Sequence, residues 1–148
     1  MRTRILVVDD DGNIYNLINE AFDDDFELIR ARSVDEAVGE FRYNGTFDCF
    51  IIDLQIIASG LTEEEMVYFQ KREGYALFKN YLCREMNNEQ IMQMKTRTII
   101  CSRYINDFVK EYSKEELNGL TLVIKKIGMV NEIRKEVNRI IKTNNINE

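Results

Sequence analysis

Short apolar runs alternate with amphipathic stretches along the whole of this chain. Residues 5–8, Cys49–Ile52, 98–101 and 122–124 are consecutive apolar or β-branched positions, the pattern of strands covered on both faces. The third run extends back to Phe47, and the last to Leu120. A fifth, weaker strand candidate is Phe26–Ala31, centred on Leu28 and Ile29. Between these runs apolar residues recur at helical spacing. Ile14, Leu17, Ile18, Ala21 and Phe22 form one set; Val34, Ala37, Val38 and Phe41 follow a Ser33…Glu36 capping box. Leu77, Phe78, Tyr81 and Leu82 follow Gly74; Ile105, Phe108, Val109 and Tyr112 follow the fourth strand and are extended or restarted at Ser113…Glu116. Val130, Ile133, Val137, Ile140 and Ile141 give a last helix that fades at 144–148. Asp23-Asp24-Asp25 reads as a solvated turn, Asn44-Gly45 as a left-handed cap and Asn118-Gly119 as a stop.

Five strands alternating with five main helices predict an α/β fold with parallel strands joined by right-handed crossovers. The most economical arrangement is a doubly wound five-stranded parallel sheet of flavodoxin-like order 2-1-3-4-5. One segment breaks the rhythm. Residues 55–73 separate the third strand from its helix, far more than the usual two to six, so they count as an insertion after strand 3. Within it Thr62…Glu65 is a capping box that places a short extra helix at 62–71. A solvated helix is preferred there over a lid or partner surface built from Met66, Phe69 and their neighbours. Residues 87–95 read as a polar connection.

The length of 148 residues suits a single domain spanning 1–148, and 45% apolar with 31% charged residues describes a chain with a packed core. A net charge of −6 argues against direct nucleic-acid binding, which needs clustered Lys and Arg. Cys49, Cys83 and Cys101 have no C-x-x-C spacing and read as small buried hydrophobes in a reducing compartment. No apolar run is long enough to span a bilayer and none forms a leader, so no membrane partner is expected and the cytoplasm is the default location. With no histidine, neither a Ser-His-Asp triad nor a histidine-ligated metal is available.

Four of the apolar runs end on residues suited to metal or phosphate: Asp9 and Asp10, Asp53, Ser102, and Lys125. In the 2-1-3-4-5 order these ends are neighbours at the carboxyl edge of the sheet, where open α/β sheets bind ligands. Three gathered carboxylates repel one another, and a divalent ion with hard oxygen ligands, Mg²⁺, resolves the conflict. Lys125 then faces phosphate oxygens and Ser102 donates a hydrogen bond, the parts of a phosphoryl-transfer site with a carboxylate nucleophile.

In 5–10, 47–54, 74–78, 99–102 and 122–125 the sequence resembles the receiver domain of two-component response regulators over nearly its whole length. The resemblance implies that Asp53 accepts a phosphoryl group from the phosphohistidine of a sensor histidine kinase or phosphotransfer protein. It implies that Asp10 binds Mg²⁺ directly, that Asp9 assists through water, and that the Gln55 main-chain carbonyl completes the protein ligands. Ser102 matches the switch hydroxyl and Lys125 the phosphate-binding lysine, with Lys126 one register away. A signalling domain that acts on a downstream protein target is implied, with no enzymatic role beyond its own phosphoryl transfer and dephosphorylation.

The chain also departs from the family. Arg103 replaces a small residue after the switch hydroxyl, where it can cover the phosphate or add a second cation to it. Leu122, or Val123 in the Lys126 register, stands at the aromatic position of the fifth strand, and the insertion replaces a short loop beside the site. These features support an alternative, a pseudo-receiver that works as a phosphorylation-independent interaction module. A phosphohydrolase with an aspartyl nucleophile is disfavoured, because Gln55 stands where a second acid is needed.

Overall fold

The computed structural model describes residues 2–144. Five parallel strands, β1 (Thr3–Val8), β2 (Phe26–Ala31), β3 (Cys49–Ile52), β4 (Thr98–Ser102) and β5 (Thr121–Ile124), form one sheet in the order β2-β1-β3-β4-β5. This is the expected doubly wound topology. The central strands are apolar on both sides because helices cover both faces. Ile5, Val7, Ile51, Ile99, Cys101 and Val123 face one layer, built from α1 (Gly12–Glu20) and α8 (Met129–Thr143). Leu6, Val8, Phe50, Ile52 and Ile100 face the other.

That second layer holds α2 (Val34–Tyr43), α3 (Glu63–Tyr68), α4 (Glu73–Ala76), α5 (Asn88–Thr96), α6 (Ile105–Glu111) and α7 (Lys114–Leu117). Helix α4 runs directly into a π-helical stretch, Leu77–Leu82. Among the described residues eight α-helices therefore stand where five main ones and a short extra one at 62–71 were expected, chiefly because this layer is broken into short pieces. The stretch 87–95, read as a polar connection, is helix α5. Asn87 and Gln90 form a reciprocal capping box at its start, and only Met94 of its residues is buried. It lacks the apolar stripe that reveals a helix, and its cap was the available signal. Strand β3 begins at Cys49 rather than Phe47, because Asp48 turns its carboxylate onto the Arg4 N–H and Arg4 stacks over the Phe47 ring at 4.5 Å.

The insertion after β3 packs into this same layer. Ile57 bridges to Ser33, and the carbonyls of Ile57 and Ser59 accept from Val34 and Asp35, satisfying free N–H groups at the start of α2. Helix α3 starts with the expected capping box of Thr62 and Glu65, and Glu65 also accepts from Tyr81 and Asn80 of the π-helical stretch. Leu61 and Phe69 are buried in the core, so Phe69 is not part of an outer surface with Met66; Met66, Val67 and Tyr68 are the exposed members. The helix is solvated on its outer face and anchored at both ends. The fading of the last helix beyond Asn144 lies outside the described residues.

Candidate functional site

Hydrogen bonds at the strand ends set the positions of the polar residues. The Asp9 N–H donates to the Ala31 carbonyl, Asp53 N–H to Val8, and Lys125 N–H to Ser102, at 3.0, 2.9 and 3.0 Å. Each side chain emerges at the carboxyl edge on backbone already fixed by the sheet. The carboxylates of Asp9, Asp10 and Asp53 lie within 4.8 Å of one another. Asp9 and Asp53 are buried, whereas Asp10 is exposed.

Lys125 joins two of them. Its Nζ lies 2.8 Å from Asp53 Oδ2 and 2.8 Å from Asp9 Oδ2, with its side chain 8% exposed. Lys126 is exposed, so Lys125 is the ammonium inside the cleft. Burial works against the charged ammonium, but the hydrogen bonds it donates to Asp53 and Asp9 outweigh that and hold the Lys125 pKa above its ordinary value. Burial raises the Asp9 carboxyl above its usual 3.8, and the hydrogen bonds from Lys125 and the Asp11 N–H only partly offset it. One ammonium cannot neutralise three carboxylates.

Ser102 is fully buried and its Oγ accepts from the Tyr104 N–H at 3.2 Å, which pins the turn leading into α6. Gln55, Ser102, Arg103 and Lys125 line one cleft of about 210 Å³ with Asp10 and Asp53. All six residues singled out from sequence thus gather at this edge. The donor set also fits the expected ion. Three hard carboxylates, one of them exposed and free of any partner among the described residues, carry an excess of negative charge that suits Mg²⁺.

The structure adds residues that the sequence pattern did not reveal. Asp11 caps α1 by accepting from the Asn13 N–H and reaches the cleft wall. Arg30 donates to the carbonyls of Asp9 and Asp10 and so steadies the acidic turn. Gly74, the second residue of α4, lies directly against the end of β3: a Cβ there would sit 1.8 Å from the Asp53 carbonyl oxygen. Such a close approach is open only to glycine. A glycine after the insertion was the only trace of it in the sequence.

No family model matches the chain, and no curated protein sequence matches it. Solved structures do match. The receiver domain of the Francisella response regulator 1452 is 21% identical, with 97% of this chain and 99% of that one covered and a TM-score of 0.66. A response regulator receiver domain protein (CheY-like) from Methanospirillum hungatei JF-1 is 16% identical, with 98% of both chains covered and a TM-score of 0.64. A sensor protein from Polaromonas sp. JS666 is 16% identical at a TM-score of 0.66, with 97% and 98% covered. The chain therefore has the fold of response regulator receiver domains, in agreement with the resemblance read from its motifs. No helix among the described residues is long and apolar enough to cross a membrane.

Proposed function

We propose that this chain is a phosphoacceptor receiver of a two-component or phosphorelay system, with Asp53 as its acceptor. One observation supports this above all: Asp53 sits at the centre of the acidic edge with the Lys125 ammonium 2.8 Å from its Oδ2. In the transfer an Asp53 carboxylate oxygen forms the new P–O bond as the P–N bond of a donor phosphohistidine breaks. The electron pair stays with the imidazole nitrogen, and Asp53 becomes an acyl phosphate. Lys125 turns part of its hydrogen bonding from the carboxylates to the phosphoryl oxygens, as a point charge. The Ser102 hydroxyl, whose oxygen already accepts from Tyr104, keeps its proton free to donate to a phosphoryl oxygen.

Asp9, Asp10, Asp53 and the Gln55 carbonyl are the groups to hold Mg²⁺, which when bound offsets charge on the phosphoryl oxygens. Movement of Ser102 and Lys125 toward the new group biases two packed arrangements of the surface around α6 and β5, and a downstream protein reads the difference. The net charge of −6 favours protein partners over nucleic acid. We place this exchange in the cytoplasm, a reducing compartment that suits three buried free cysteines.

Leu122, at the aromatic position, favours a second reading as a phosphorylation-independent interaction module. One experiment separates the two. Intact-protein mass spectrometry after incubation with acetyl phosphate and Mg²⁺ should show one added phosphoryl group, absent from Asp53→Asn and from an EDTA control. No adduct, even with a phosphorylated kinase as donor, supports the interaction module.

A further inference from the structure

The cleft is divided by charge. Sheet order puts β1, with Asp9, Asp10 and Asp11, on one side of Asp53, and β4 and β5, with Ser102, Arg103 and Lys125, on the other. The β1 side is built for a cation, and the opposite side for an anion. Lys125 is already engaged there, spanning Asp9 and Asp53. Arg103 is not. Among the described residues its guanidinium has no hydrogen bond, ion pair or ring contact, although it lines the same cleft. Its backbone is nevertheless pinned, between the fully buried Ser102 and the buried Ile105, with the Tyr104 N–H tied to Ser102 Oγ. A fixed backbone thus presents a free planar cation at the anion side of the pocket.

We propose that Arg103 is a second phosphoryl-binding cation, which grips the group on Asp53 from the side opposite the acidic turn. The proposal rests on the reading of Asp53 as phosphoacceptor. Phosphorylation replaces one carboxylate charge by nearly two on the phosphoryl oxygens, and Lys125 must still serve Asp9. Arg103 meets that added charge, and its fork of N–H donors matches two phosphoryl oxygens at once.

Beryllofluoride tests this without turnover, because beryllium takes a carboxylate oxygen as its fourth ligand and so imitates a phosphoryl group. Its affinity for the wild type, Arg103→Ala and Arg103→Lys is measured by fluorine NMR with Mg²⁺ present, and Mg²⁺ affinity is measured separately. Arg103→Ala should bind beryllofluoride about tenfold more weakly. It should bind Mg²⁺ alone as well as the wild type or better, since a positive charge has left the cleft. Arg103→Lys should recover part of the loss. Equal beryllofluoride affinity in Arg103→Ala and wild type overturns the role of Arg103 but leaves Asp53 as acceptor. A parallel loss of Mg²⁺ and beryllofluoride binding marks damage to the site and also overturns it. A wild type that binds Mg²⁺ but no beryllofluoride overturns the acceptor reading itself.

Discussion

The cleft at the sheet edge and the insertion beside it are neighbours built on opposite terms. In the cleft, three carboxylates crowd within 4.8 Å around one ammonium, and burial drives Asp9 away from its ionised form. In the insertion the polar groups around α3 are matched, with Arg72 Nε the buried exception: Thr62 and Glu65 cap each other, Glu65 meets Tyr81 and Asn80, and the loop carbonyls cap α2. Burial, helped by the hydrogen bond that Tyr81 donates to Glu65, pushes the pKa of the Tyr81 hydroxyl up to about 12, while hydrogen bonds lower the Glu65 carboxyl against the effect of burial. The insertion supplies packing and the cleft supplies unresolved charge. A site that binds a dication must keep such an excess, and the surrounding core has to offset its cost. The two regions meet at Gly74, where only a hydrogen atom separates α4 from the Asp53 carbonyl.

This contrast can be broken at its strongest point. Lys125→Met leaves Asp9 and Asp53 buried without their shared cation, and should cost about 3–5 kcal/mol in EDTA. Mg²⁺ should recover much of that loss, since a dication replaces the ammonium; thermal melts with and without Mg²⁺ check this. A loss that Mg²⁺ does not repair removes the metal from the account.

Phe69→Ala tests the other side. Phe69 is 5% exposed and packs on Tyr75 with ring centroids 6.5 Å apart, so truncation should cost about 3 kcal/mol. Mg²⁺ affinity should hardly change. A stable variant with altered Mg²⁺ binding would instead make the insertion a lid.

At the junction, Gly74→Ala forces the α4 backbone off Asp53 and should cost about 1–3 kcal/mol, with slower phosphorylation as well. A variant as stable and as fast as wild type would mean that the two regions are not mechanically joined.

The smallest effect has the opposite sign. Folded Asp9 binds its proton more tightly than the unfolded chain does, so its contribution favours the fold below pH 3.8 and is lost as pH rises through the raised value. At neutral pH the ionised group therefore costs stability. Asp9→Asn should raise the melting temperature at pH 7 in EDTA, by about 2–4 °C for each kcal/mol relieved. The gain should vanish below pH 3.8, and Mg²⁺ affinity should fall.

How far this was legible in sequence follows the same division. Asp9, Asp10, Asp53, Ser102 and Lys125 could be placed because each ends an apolar run, and a parallel sheet brings such ends together whatever the loops do. Lys125 and Lys126 were separated only by burial, which a strand end does not announce. Helix α5 was hidden because its single buried residue, Met94, leaves no periodic stripe. The π-helical stretch carries apolar residues that suit an ordinary helix equally well, so its local widening depends on packing alone. The contact between Gly74 and Asp53 is tertiary and has no local signature. Phe69 sits beside the exposed Val67 and Tyr68, and only the fold assigns it to the core.

The most direct test of the central claim is to locate the phosphoryl group. After incubation with acetyl phosphate and Mg²⁺, borohydride reduces an acyl phosphate to the alcohol, converting the modified aspartate to homoserine, which peptide mass spectrometry places in the sequence. The account expects homoserine at position 53 and nowhere else. Homoserine at Asp9 or Asp10, or none at all in a chain that binds Mg²⁺, would contradict it.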